Sequence, residues 1–316
     1  MTIGDVPLWF LRGLAIVFGL LWGSFLNVVI YRVPREMSVA FPASHCPTCS
    51  KPVRAFDNVP VLSFLILGGK TRCCRTRLSV RYPLVELMGG ALSLAIVEVV
   101  LRGMPESTPL ARACAVYLAD FALSLGLLAA AFIDAEHMFL PDSITIGGTI
   151  LGIVTATLRG IPFVDALTGA GVGFVGVWLP FVLIYERVRG RPGMGMGDAK
   201  LTMLAGAWFG WAGVFFVVMA GAIQGTLYAV GVYLVKGKID EPAAVKADRE
   251  ELEKLAAEGD EEAKQLLIDD PLGAPQGEGF GQSRLPFGPF LILGILEYLF
   301  AGPRILELYR RLLFPN

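Results

Sequence analysis

The feature that most constrains this chain is a succession of long apolar runs separated by short polar segments. Eight can be marked: Leu8–Tyr31, Pro83–Leu101, Leu110–Ile133, Ser143–Leu158, Ala166–Tyr185, Ala199–Phe209, Ala212–Val235 and Leu285–Phe300. A helix that is apolar all round is either deep core or a membrane span. A single chain of 316 residues cannot bury eight such helices inside itself. Composition agrees. Only 17% of residues are charged, against roughly 25% in soluble domains, and the mean hydropathy is +0.61. The expected fold is therefore all-α and polytopic, about eight transmembrane helices with a small cytoplasmic Cys-rich loop domain, and the lipid bilayer is its solvent. The fourth and sixth runs are short for a core that needs ~20 residues. The first run lacks a basic leader and a small-residue exit, so it reads as a retained span and not a cleaved signal.

Charge patterning divides the chain further. Residues 240–278 hold 13 of the 28 acids and 4 of the 27 Lys and Arg, leaving the remainder basic. The expected segments are 1–32, a first span; 33–82, the Cys-rich loop domain; 83–235, a membrane core; 236–284, an acidic cytoplasmic insert; and 285–316, a last span and tail. Within the insert, Val245–Ile268 reads as one charged helix followed by a Pro/Gly linker. The segment Arg32–Tyr82 carries nine Lys and Arg, which places it in the cytoplasm. Counting spans forward puts Asp134–Asp142 and Arg187–Asp198 on that same side. Arg304, Arg310 and Arg311 then fall outside, against the rule. No nucleic-acid motif is present, and the sequence does not specify an oligomeric state.

Two carboxylates stand out. Asp134 ends the third span, where an anion opposes the helix dipole, so capping does not explain it. Asp198 follows Gly193-Met194-Gly195-Met196-Gly197 at the start of the sixth span, where it would also serve as an ordinary N-cap. Asp142 is a similar N-cap candidate. Two carboxylates held close cannot both ionise easily, and such a pair shares a proton. It can activate a water against a peptide carbonyl. The only histidines are His45 and His137, and neither Gly-x-Ser-x-Gly nor His-Glu-x-x-His occurs. Asp120 and Glu297 offer another reading, an ion path through a transporter or channel. A zinc-stabilised assembly scaffold is a third.

Cys46, Cys49, Cys73 and Cys74 crowd one polar loop, which suits a tetrahedral zinc better than disulfides. Adjacent Cys73 and Cys74 are geometrically awkward as joint ligands, so His45 or a three-Cys site remains an alternative.

In order along the chain come Gly23-Ser24-Phe25-Leu26-Asn27-Val28-Val29-Ile30-Tyr31-Arg32, Cys46-Pro47-Thr48-Cys49, Arg81-Tyr82-Pro83-Leu84-Val85-Glu86-Leu87, Asp134 with Pro141-Asp142, Gly195-Met196-Gly197-Asp198-Ala199-Lys200, and Pro286-Phe287-Gly288-Pro289-Phe290. This series resembles the bacterial type IV prepilin peptidase family over nearly the whole chain apart from the insert. The resemblance implies an inner-membrane aspartic peptidase of the Gly-x-Gly-Asp type, with Asp134 and Asp198 as its catalytic pair. Its substrates would be prepilins and pseudopilins, cut at the cytoplasmic face. It also implies N-methylation of the new terminus with S-adenosylmethionine, for which the sequence shows no binding fold of its own. The family's loop carries two Cys-x-x-Cys pairs. Here Thr71 stands where one cysteine is expected, and Cys73 is offset from it by two.

Overall fold

The computed structural model describes residues 1–46, 48–189, 193–269 and 284–313. Among the described residues there is no strand, only helices and three isolated β-bridges. Five helices are long and apolar enough to cross a membrane, and two shorter apolar helices accompany them. The chain is thus an all-α polytopic membrane protein. It divides into two compact units, Met1–Ala129 with Thr157–Gly160, and Ala130–Ala156 with Ile161–Asn316.

In the first unit, α1 spans Leu8–Arg32, a short α2 spans Leu62–Ile66 and α3 spans Arg81–Ala95. The last continues as a π-helical turn, Ile96–Val100. α1 and α3 pack backbone to backbone. A Cβ on Gly89 would sit 2.6 Å from Gly19 O, and one on Gly23 would sit 2.8 Å from Glu86 Cα. In a bilayer such small-residue contacts replace the hydrophobic effect as the force between helices. α4, Leu110–His137, begins in this unit and ends in the second.

The second unit holds the end of α4, then α5 at Asp142–Thr155 and α6 at Phe163–Val177. α6 runs on through a π-helical stretch, Trp178–Ile184, into α7, Tyr185–Arg189. Pro180 lies in that stretch, where its missing N–H and its ring disfavour a regular α-turn. α8 covers Met196–Lys236. At ~1.5 Å per residue, 41 residues would be about 60 Å long, twice a bilayer core. Gly210 resolves this. It sits at φ 70, ψ −172, a conformation only glycine adopts freely, and breaks α8 into two segments. The two expected runs on either side of Phe209–Gly210 correspond to those segments.

α8 is the hub of this unit. Gly206 and Gly169 let it meet α6 directly, and Thr202 Oγ1 donates to Gly173 O at 2.9 Å. Trp208 Nε1 donates to Gly148 O of α5 at 2.9 Å. α11, Gly288–Leu313, packs its Leu291 against Gly221.

The acidic insert differs from its sequence reading. The expected single helix is two, α9 at Ala243–Ala257 and α10 at Glu261–Asp269. Gly259, at φ 101, turns the chain between them. Asp260 Oδ1 then caps α10 by accepting from the amides of Glu262 and Ala263. Arg249 and Glu241 form a buried ion pair at 2.8 Å at the base of α9. The expected Pro/Gly linker lies largely outside the described residues.

Candidate active site and metal centre

Asp134 and Asp198 both fall in the second unit and both are buried, 5% and 8% exposed. Asp134 occupies the last turn of α4. The helix ends just beyond it, where Met138 takes a left-handed conformation and donates its amide to Asp134 O at 2.8 Å. Asp198 is in the first turn of α8. It is not the N-cap that the sequence suggested. Gly195 occupies that position, and Asp198 Oδ2 accepts the Gly195 amide at 3.1 Å, while the Asp198 amide returns to Gly195 O at 3.1 Å. This reciprocal bonding fixes the carboxylate at a helix N-terminus, where the dipole favours an anion.

The two carboxylates lie within electrostatic range of each other. A third element completes the site. The Gly288 backbone, at the start of α11, lies against the Asp134 carboxylate, and a Cβ there would sit 2.6 Å from Asp134 Oδ2. Leu140 fills the remaining space. Its side chain would meet a Cβ on Gly197 at 3.1 Å and one on Gly288 at 3.2 Å. Asp134 Oδ2 is buried and has no hydrogen-bond partner among the described residues. A native interior rarely leaves such an oxygen unmatched without a chemical reason. The arrangement offers two like carboxylates, one anchored and one with an open acceptor, with Gly197 and Gly288 packed closely against Leu140 and Asp134.

The surrounding acids have plainer roles. Asp142 follows the N-cap Pro141 and pairs with Lys200 Nζ at 2.6 Å, so it links the starts of α5 and α8. Asp120 is buried in the first unit within electrostatic range of Arg159. Glu297 accepts from Gln224 Nε2 at 2.8 Å in the second. Each of these two acids is accounted for by a partner of its own, so neither calls for an ion path. Gly288 was missed as a site residue by sequence spacing. Only its place in the Pro286–Phe290 series marked it.

The cysteine loop is built from two turns of one design. In the first, the Cys46 amide donates to Lys51 O at 2.8 Å, the Ser50 amide to Cys46 O at 2.9 Å, and Ser50 is left-handed. In the second, the Thr71 amide donates to Thr76 O at 2.9 Å, the Arg75 amide to Thr71 O at 3.0 Å, and Arg75 is left-handed. Superimposed in register, Thr71 matches Cys46 and Cys74 matches Cys49. Thr71 therefore occupies the register position of Cys46, yet four sulfurs still meet. Cys73 supplies the fourth sulfur.

All four Sγ atoms lie within 4.8 Å of one another. The Cys46–Cys74, Cys49–Cys73 and Cys73–Cys74 separations are 3.6, 3.3 and 3.9 Å. Thiolates on a tetrahedral zinc at ~2.3 Å would be about 3.8 Å apart, so the set fits that ion. Adjacency is no obstacle here. His45 stays outside, its Nδ1 facing Ala43 O at 3.2 Å.

Electrostatics separate Cys46, Cys73 and Cys74. The neighbouring Cys49 thiol, with burial, pushes Cys73 up to about 12. The Thr71 and Thr76 hydroxyls draw Cys74 down to about 6. The backbone amides of Cys49 and Thr48 lower Cys46. Thr71 thus keeps a part in the cluster, with its Oγ1 3.3 Å from Cys74 Sγ.

Comparison with known proteins bears on both centres. Residues 17–100 match the bacterial peptidase A24 N-terminal domain, and residues 121–230 match the type IV leader peptidase family. A prepilin leader peptidase/N-methyltransferase of Pseudomonas putida is 37% identical over 74% of this chain and 84% of its own length. Its counterpart in Neisseria gonorrhoeae is 34% identical over 71% and 83%. That of Myxococcus xanthus is 34% identical over 91% and 89%. No solved structure matches the chain.

Proposed function

The chain belongs to the type IV leader peptidase family, and from that premise we propose that it is a membrane aspartic endopeptidase that removes the leader peptide of type IV prepilins and pseudopilins. The observation that carries the reading is the convergence of Asp134 and Asp198 in one buried site. The pair works as a unit. One carboxylate accepts a proton from water as it attacks the scissile carbonyl, and its protonated partner donates to the carbonyl oxygen. Gly195, uncrowded beside Asp198, leaves the substrate backbone room to approach.

The same chain N-methylates the terminus it creates, as the names of its relatives indicate for them. Cys46, Cys49, Cys73 and Cys74 hold a structural zinc that ties the loop together. The site faces the cytoplasm of a bacterial inner membrane, a reading supported by the nine Lys and Arg of the Cys-rich segment. The five segments marked in the sequence then become an anchor, a loop domain, a peptidase core, a docking insert and a closing span.

Purified chain, incubated with a prepilin and S-adenosylmethionine, should yield a product lacking the leader and heavier by one methyl group. A substrate recovered at full length removes the peptidase reading. A clipped but unmethylated product removes only the second activity.

A further inference from the structure

Between the end of α1, the start of α3 and α2 lies a cavity of about 680 Å³. Small-molecule sites span roughly 300–1,000 Å³ and place a few polar groups in an otherwise apolar wall. Three polar side chains in this wall are more than nine-tenths buried: Asn27, Arg32 and Glu86. Burying them costs free energy unless each is partnered.

Arg32 is spent on the loop, donating to Ser38 O at 2.9 Å and Pro42 O at 2.7 Å. Asn27 uses its Nδ2 on Tyr82 O at 3.1 Å, but its Oδ1 has no partner among the described residues. Glu86 Oε2 accepts the Val61 amide at 2.7 Å. That contact is unusual because Val61 is held at φ 61, ψ −48. A β-branched residue pays steric strain there, and such strain gathers at ligand sites. The zinc geometry does not require these three groups in this arrangement.

We propose that this cavity is where the chain takes its methyl donor, an adenosyl sulfonium compound, with Glu86 and Asn27 as the residues that recognise it. The proposal rests on the methyl-transfer reading above. The donor's chemistry matches Glu86 and Asn27, and the basic side chains of the wall, Lys51 and Arg54, suit its carboxylate. Its ribose hydroxyls need acceptors, and a buried carboxylate is a common one for ribose. Its sulfonium and ammonium groups are cations, suited to Glu86. Its flat base can stack on Tyr31, Phe64 or Tyr82, which also line the cavity. Transfer balances simply. The lone pair of the neutral amine forms the new N–C bond, and the S–C bond breaks. Its electron pair stays on sulfur as a neutral thioether, and the positive charge passes to the amine.

Two measurements on the full-length purified chain test this. Calorimetry with S-adenosylhomocysteine, the unreactive product, should show binding that weakens at least about tenfold in Glu86→Gln and in Asn27→Leu, a loss on the scale of one buried hydrogen bond to a charged group. Ultraviolet cross-linking of tritiated S-adenosylmethionine to the unmutated chain should label peptides from residues 24–32 or 61–86. The second measurement stands even if a variant fails to fold. Label confined to residues 110–236, or variants that bind like the parent, would overturn the site while leaving methyl transfer intact. A parent chain that neither binds the probe nor transfers a methyl group removes the methyl-transfer reading and the site with it.

Discussion

Asp134 and Asp198 on one side, and the four clustered thiols on the other, are both sets of like groups that repel one another when charged. They are assembled by different means. The aspartates come from the end of α4 and the start of α8, with Gly288 of α11 beside Asp134 in space but far along the chain. Their positions depend on helix packing through glycine contacts that admit no side chain. The thiols come from two short turns, each closed by its own backbone hydrogen bonds and a left-handed residue. A centre held by long-range packing should be intolerant of small insults. One held by local turns can exchange a ligand for its neighbour, as Cys73 does for the position of Thr71.

The sharpest way to break this contrast is Gly288→Ala. One methyl group would press on Asp134 Oδ2, and leader cleavage should fall by about 100-fold, the scale of a 1 Å misplacement at a reacting group. A cleavage assay showing wild-type rates would refute the packing argument. Next in size is Cys73→Ser, which should drop bound zinc from about one per chain to a small fraction, read by elemental analysis. Adding Thr71→Cys to that variant should restore the metal, because residue 71 already sits in the ligand register. Failure of this rescue would mean that the two turns are not equivalent.

Zinc uptake should also weaken as pH falls. Cys73, held up at about 12, is protonated at neutral pH and must lose its proton to bind, whereas Cys74, down at about 6, is mostly thiolate already. Calorimetry near pH 7 in two buffers of different ionisation enthalpy should register about one or more protons released per zinc. The smallest effect is expected from Asp142→Asn. Its pairing with Lys200 is partly exposed and contributes ~0–1 kcal/mol, so thermal stability should shift little.

The two centres also differ in how legible they are from sequence. Apolar runs marked the helices well, because membrane spans must be continuous and their ends are polar. The break at Gly210 was visible as a gap between two runs. Asp134 could be singled out because an acid at a helix C-terminus opposes the dipole. Asp198 was ambiguous for a local reason, since an N-cap and a catalytic acid look alike. Gly288 carried no signal of its own, because a glycine's closeness to a carboxylate 154 positions earlier is a tertiary fact. In the loop, Thr71 suggested a damaged metal site. The repair depends on backbone register and side-chain reach, which spacing alone does not encode. Gly259 split the insert's helix because nothing in its charge pattern outweighed a left-handed turn.

The aspartate pair is the claim on which the rest depends. Membranes carrying the parent chain, Asp134→Asn or Asp198→Asn should be given the same prepilin, with the leader-free product measured by mass. Either substitution should abolish cleavage, with both variants still present in the membrane at parental amounts. Normal processing by either variant would contradict that claim.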